Sequence, residues 1–164
     1  MAGLAPAIHA RISENARTGP AMPPPNNIAR AGNILVALGL AALTGGMAFF
    51  AIIVAPLVFA NLPEPVAAPF LRAAFPLLYA YMIVTATLAA CGYLILGRLN
   101  AVILLFIIVA ATYWLWFYQL PELDAFRAAN NTAAFNSGHE FSVWVYAAEF
   151  LAALALLARF AINA

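Results

Sequence analysis

The chain has 164 residues, 66% of them hydrophobic and only 8% charged. Soluble domains carry about 25% charged residues, which excludes an ordinary water-soluble protein and predicts an integral membrane protein. The net charge is +1 and every basic residue is an arginine. No basic run offers a footprint for nucleic acid, so no nucleic-acid partner is expected. The single cysteine, Cys91, excludes an internal disulfide and a cysteine-rich metal site. It falls in an apolar segment and reads as a small packing residue.

Residues 1–32 form a polar, proline-rich tail ending in "GPAMPPPNNIARAG". Three successive prolines favour an extended polyproline conformation and cannot enter a helix interior. The tail lacks the apolar core of a signal peptide, so secretory cleavage is not expected. Met22 is an alternative translation start.

Residues 33–161 read as a domain of four apolar segments, at about 33–60, 72–97, 99–119 and 136–161. A crossing needs about 20 residues, so each segment is long enough to span. In the first, Ala37, Ala41 and Gly45 lie four apart, as do Ala42 and Gly46. Small residues at that spacing let helix backbones approach closely in lipid, so Ala37, Ala41, Gly45 and Gly46 are expected to be packing residues. Pro56 is expected to kink or end this helix. The stretch "NLPEPVAAPF" should turn outside the hydrocarbon, and "GRLN" should make a tight hairpin between the second and third helices. The third helix ends in "TYWLWFYQ", an aromatic cluster suited to a membrane–water boundary. A long loop, 120–135, follows and carries Glu122, Asp124 and Arg127. It has room for a short interfacial helix.

Arginine counting predicts the orientation. With a cytoplasmic N-terminus, Arg11, Arg17, Arg30, Arg98 and Arg159 share the inner side, and Arg72 and Arg127 are left outside. The positive-inside rule therefore favours both termini in the cytoplasm of a bacterial inner membrane. The fold class expected is an all-α, integral membrane four-helix bundle.

The last segment carries the chemistry. At 100° per residue, with His139 at zero, Ser142, Tyr146 and Glu149 fall at about 300°, 340° and 280°. These four polar groups share an arc of about 80°, and such a stripe should face the bundle interior because lipid offers it no partners. Glu149 lies about 18 Å along the helix from Ser137, near mid-bilayer. A charge at that depth costs about 2.5–3.5 kcal/mol, so Glu149 is expected to carry its proton and to bond a neighbouring helix. His139 and Glu140 lie near the outer boundary. His139 and Glu149 are separated by about 15 Å of rise, too far to share one metal. A line of polar groups leading to a protonatable acid suits a proton or small-solute path, and the plainer alternative is a hydrogen-bonded seam between helices.

The residues require no cofactor and define no metal site, with His139 as a weak candidate ligand. Apart from His9 in the tail, His139 is the only histidine. A haem would need His139 together with Met47, Met82, a tyrosine or a second chain. No nucleotide motif, nucleophile–base pair or paired catalytic carboxylates occur, so no catalytic residue is assigned.

The succession "GGMAFFAIIVAPLVFANLP", "AAFPLLYAY" and "LPELDAFRAAN…AFNSGHEFS" resembles the transmembrane-protein-205-like family of four-helix membrane proteins, over residues 33–161. That family tends to show His-x-x-Ser followed by Asn on its last helix. His139 and Ser142 match, whereas Tyr146 stands at the Asn position. The resemblance implies a four-helix bundle, similar in fold to the copper-resistance protein CopD and the HemJ-type protoporphyrinogen oxidases, and through them copper or haem as a cofactor by analogy.

Two functions follow. The first expected is a multi-pass inner-membrane protein without enzymatic activity of its own, an accessory subunit whose partners are membrane lipids and other membrane-protein subunits. The alternative is a module handling a small solute, a proton or a metal through the stripe on the last helix. A haem-linked oxidoreductase is the remaining, weaker class.

Overall fold

The computed structural model describes residues 27–163, and they form four long helices with no strand among them. We label them α1 (Asn27–Asn61), α2 (Glu64–Ile95), α3 (Leu99–Ala128) and α4 (Thr132–Asn163). All four are long and apolar enough to cross a membrane. Spans of 30 to 35 residues rise about 45–52 Å. That exceeds a hydrocarbon core of about 30 Å, so the helix ends project beyond it. Neighbours in sequence pack side by side and α4 closes the ring against α1, while the backbones of the diagonal pairs α1–α3 and α2–α4 stay apart. α2 meets α4 through side chains, as where Tyr93 stands edge-on to Phe160 with centroids 6.5 Å apart.

The connections are shorter than the proline content suggests. α1 runs through Pro56 to Asn61, and α2 starts at Glu64, not near residue 72. Pro65 falls in the first turn of α2, where its missing N–H would have had no partner. Pro69 and Pro76 lie inside the helix. Gly97, with φ +68°, makes the tight turn between α2 and α3, as "GRLN" predicts. There the Arg98 N–H donates to the Tyr93 carbonyl at 2.9 Å, closing off the end of α2. The expected loop 120–135 contracts to Ala129–Asn131, because α3 continues through Pro121 to Ala128 and α4 starts at Thr132. Asn130, at φ 54°, turns the chain, and the Asn131 side chain caps α4 by accepting from the Ala134 N–H at 3.2 Å. At the other boundary the helix already includes Asn27, six residues before the expected start at 33. The rest of the proline-rich tail lies outside the described residues.

Two helices are not α-helical throughout. α1 contains a π-turn at Phe50–Val54 and α3 one at Leu115–Gln119. In each, the following residue reaches back five positions, Ala55 N–H to the Phe50 carbonyl and Leu120 N–H to the Leu115 carbonyl. A proline comes next in both helices, Pro56 and Pro121. Proline lacks an N–H and its ring clashes with the carbonyl four residues back. The wider π-turn moves that carbonyl aside, so the helix survives a proline that would otherwise break it.

The core joins Val36, Leu40, Leu43 and Met47 of α1 to Met82 and Ala86 of α2, Leu105 and Leu115 of α3, and Ala153 and Leu156 of α4. The α1–α2 seam is the tightest part. A Cβ on Gly39 would lie 2.6 Å from the Ala89 backbone N, and one on Gly92 would lie 2.7 Å from the Gly32 carbonyl oxygen. Gly46 packs against the Tyr81 ring, whose hydroxyl donates to the Ala42 carbonyl at 2.6 Å. Of the four expected packing residues, Gly46 therefore packs within the chain. Ala41 and Gly45 are exposed, and a Cβ on Gly45 would meet nothing within 4 Å. Ala37 is half-buried. The close approach follows Gly32, Gly39 and Gly46, spaced by seven, which keeps one face toward one partner helix. Cys91, expected to pack, is exposed on the outside of the bundle.

Candidate functional site

The end of the bundle that carries the α1–α2 and α3–α4 connections holds a cavity of about 460 Å³. That lies within the range of small-molecule sites, about 300–1,000 Å³. Both π-turns line it, through Phe50 and Ala51 of α1 and Leu115 and Gln119 of α3. Where the helix widens, its side chains change direction, so the packing that seals the other end of the bundle is interrupted here. π-turns occur often at functional sites for this reason.

The polar lining comes from three helices. Arg72 of α2 forms an ion pair with Asp124 of α3, the one ion pair among the described residues. Arg127, one turn further along α3, rests its guanidinium over the Phe135 ring at 4.4 Å from the centroid. His139 also lies against Phe135, its ring parallel and the centroids 5.9 Å apart. Gln119 is buried, and its amide donates to the Gly138 carbonyl at 3.1 Å, tying α3 to α4. Gly138 admits this contact because a Cβ there would lie 2.9 Å from Leu123 and 3.1 Å from the Gln119 amide nitrogen.

The structure brings the predicted stripe together in two parts. His139, Ser142 and Tyr146 line the cavity in order of depth, and Glu149 lies below them. Ser142 turns its hydroxyl back to the Gly138 carbonyl at 3.0 Å. The Tyr146 hydroxyl crosses to α1, donating to the Met47 carbonyl at 2.9 Å. Glu149 is 4% exposed, and its Oε1 accepts from the Thr112 hydroxyl of α3 at 2.9 Å. Its Oε2 is buried with no hydrogen-bond partner among the described residues. Glu149 therefore bonds a neighbouring helix through one oxygen only. An orphaned buried oxygen is expensive, about 1–3 kcal/mol, which marks the group as more than a packing element.

Four contributors escaped the sequence reading. Asp124 and Arg127 were expected in the loop 120–135, and Arg72 stood at the first position of the second segment with no role assigned. Thr112, fully buried, had no signal beyond being a hydroxyl on an apolar helix. The pattern π-turn, one residue, proline was the signal available for the cavity itself, but a π-turn leaves no period in sequence that sets it apart from α-helix.

The residues do not assemble a metal centre. Among the described residues no group of three His, Cys, Asp or Glu side chains could hold an ion. Met47 and Met82 are fully buried in the core while His139 is exposed at the rim, so neither thioether pairs with that ring.

Four spanning helices around a largely apolar cavity with a charged rim at one end define a multi-pass membrane protein with a candidate solute site. The chain belongs to a family described as Domain of unknown function (DUF4149), which matches residues 38–132. The matched segment contains both π-turns, both of their prolines, and Arg72, Asp124 and Arg127. No curated protein and no solved structure matches the chain.

Proposed function

We propose that this protein is a membrane module that admits a small solute into the cavity at the two-connection end and exchanges a proton at Glu149. The observation that carries the reading is the orphaned Oε2 of Glu149, directly beneath three stripe residues that line the cavity. A carboxylate at mid-membrane depth is costly without a cation, and the partner seen for it among the described residues is the neutral Thr112 hydroxyl. Glu149 therefore carries a proton at rest, and Tyr146, one turn above, stands between it and the cavity. The module has no enzymatic activity of its own in this reading. The infrared spectrum of the reconstituted protein tests it. A protonated carboxyl band should shift on transfer to deuterated water and vanish in Glu149→Gln. A spectrum without that band, or a band that never exchanges, rejects proton handling at this site.

The arginine distribution supports an orientation with both termini in the cytoplasm of a bacterial inner membrane and the cavity facing outward. In a Cys91→Ala background, a cysteine at Ala125 should then react with an impermeant thiol reagent in intact cells. Protection of that cysteine would reverse the orientation.

A second reading, an accessory subunit of a larger membrane complex, draws support from one observation. Ala41 and Gly45 point out of the bundle and leave a smooth face on α1, where another chain's helix can approach closely. Purification in gentle detergent with a stoichiometric second chain would favour it. The similarity to copper- and haem-handling membrane proteins adds a cofactor to either reading only by analogy of fold.

A further inference from the structure

The central cavity is not the only recess beside Arg72. A second hollow, of about 530 Å³, opens on the α2–α3 side between Pro69, Ala73 and Pro76 of α2 and Trp116 and Pro121 of α3. Arg72 and Leu120 line both spaces. The guanidinium thus stands in the wall between a lateral recess of apolar character and a cavity with a polar rim.

Its bonding is incomplete. One terminal nitrogen, Nη2, donates to Asp124, but Nη1 is buried with no acceptor among the described residues. A guanidinium presents a rigid fork of donors suited to the paired oxygens of a carboxylate or phosphate. Asp124 occupies one side of that fork and the other is left over. The wider lining has the same bias, because Arg127 also faces the cavity and rests on an aromatic ring, not a carboxylate. Two arginines against one aspartate leave a surplus of positive charge. Beyond them the cavity wall is apolar, with Phe50, Phe75, Leu78 and Leu115. Arg72 begins the third turn of α2, about 12 Å from its first residue. In a helix that overshoots the hydrocarbon core, that places it near the boundary where lipid head groups lie.

We propose that this site takes a single-chain anionic amphiphile from the membrane. Its carboxylate or phosphate pairs with Arg127 and with the incompletely bonded guanidinium of Arg72, whose side chain is 31% exposed. Its chain lies among the apolar residues, and it enters sideways through the α2–α3 recess. The inference rests on the solute-module reading and names its ligand class, but it does not depend on proton exchange at Glu149.

Trp116 lines the recess beside Arg72 and reports on it. The test uses the full chain in phosphatidylcholine nanodiscs, with Trp114→Phe and Trp144→Phe leaving Trp116 as the only tryptophan. Dibromostearate, whose bromines quench indole fluorescence, is titrated beside its neutral methyl ester. The acid should quench saturably and bind at least tenfold more tightly than the ester. Arg72→Gln and Arg127→Gln should each weaken the acid about tenfold, the loss expected for a charge-assisted hydrogen bond, and leave the ester unchanged. Arg127→Gln keeps the Arg72–Asp124 pair intact, and the acid–ester comparison needs no arginine variant, so a folding defect in Arg72→Gln does not blunt the test. Ala51→Phe, which fills the cavity from α1, should abolish saturable quenching. Equal binding of acid and ester, or indifference to both arginine variants, overturns the proposal. Displacement of the acid by inorganic phosphate overturns it in favour of a free anion. Failure here with the Glu149 infrared band still exchanging rejects the ligand class alone, and the opposite pair of results rejects the proton-handling step alone.

Discussion

The α1–α2 seam and the two-connection end share two helices, yet one is closed and the other open. Along the seam, Gly32, Gly39 and Gly46 bring α1 against α2 so closely that a Cβ on Gly39 or Gly92 would run into backbone. A few residues further on, the π-turn at Phe50–Val54 and Pro56 send α1 past a cavity of about 460 Å³. α3 repeats the arrangement with its π-turn at Leu115–Gln119 and Pro121. In lipid no hydrophobic driving force pulls helices together, so packing and hydrogen bonds decide where they touch. Glycine spacing holds one region shut, and paired π-turns with prolines hold the other apart. The ionisable groups of the interior collect in or under the open region: Arg72, Asp124, His139 and, below them, Glu149.

The largest effect should come from filling the seam. A Cβ on Gly39 meets the backbone of Ala89 at 2.6 Å, and backbone cannot move aside as a side chain can. Gly39→Ala should cost about 1–3 kcal/mol through overpacking, and Gly39→Leu should abolish the folded bundle, read as loss of the monodisperse peak in detergent chromatography. Gly45, four residues from Ala41 on the exposed side of α1, is the contrast. Gly45→Ala should cost nothing and Gly45→Leu should leave the bundle folded, since nothing lies within 4 Å. If Gly45→Leu strips away a co-purifying chain while the bundle persists, the accessory-subunit reading gains. Equal damage from Gly39 and Gly45 substitutions would break the comparison.

The prolines give a smaller effect of opposite sign. A proline inside an α-helix costs about 3 kcal/mol, and the π-turns relieve only part of that strain. The double variant Pro56→Ala, Pro121→Ala should therefore raise the thermal midpoint while narrowing the cavity. Its structure should show at least one π-turn reverting to α-helix, and Trp116 quenching by dibromostearate should weaken. Unchanged π-turns in that variant would mean that the surrounding packing, not proline, keeps this end open.

How much of this was legible beforehand follows from what leaves a mark in sequence. Four spans are written in composition, because each needs a run of apolar residues. The stripe on α4 was legible because polar groups on a spanning helix must avoid lipid, and His139, Ser142 and Tyr146 do face the cavity. Helix ends were not legible where prolines stood. Pro65 and Pro121 look like breaks, but each has an orphan N–H position or a π-turn to excuse it. That error placed Asp124 and Arg127 in a loop, left Arg72 at a helix end, and hid the cavity's charged rim. The seam was misread for a related reason. Four-residue spacing singled out Ala37, Ala41 and Gly45, although the seven-residue series of Gly32, Gly39 and Gly46 was equally visible. Both spacings mark a face of a helix, and only the partner's position says which face is used.

The smallest effect concerns the hydrogen bond beneath the cavity, and it separates a structural seam from a working acid. Thr112 is fully buried and donates its hydroxyl to Glu149 Oε1 at 2.9 Å. Thr112→Val keeps the shape and removes the donor. Interhelical hydrogen bonds in membranes are worth about 0.6 kcal/mol on average, so the variant should unfold in detergent only slightly more easily than the parent. Its infrared carboxyl band should move, because Glu149 would then have lost the one partner seen for its side chain. If Glu149 only glues α4 to α3, Glu149→Leu should match Thr112→Val in stability and the carboxyl band of Thr112→Val should resist deuterium exchange. If Glu149 exchanges a proton through the cavity, Thr112→Val should retain an exchanging band at a shifted frequency. Tyr146→Phe sharpens the point from above. It removes the bond to the Met47 carbonyl and should slow deuterium exchange at Glu149 if the hydroxyl relays protons. Exchange at the parental rate would remove Tyr146 from the path and leave it as a strut between α4 and α1.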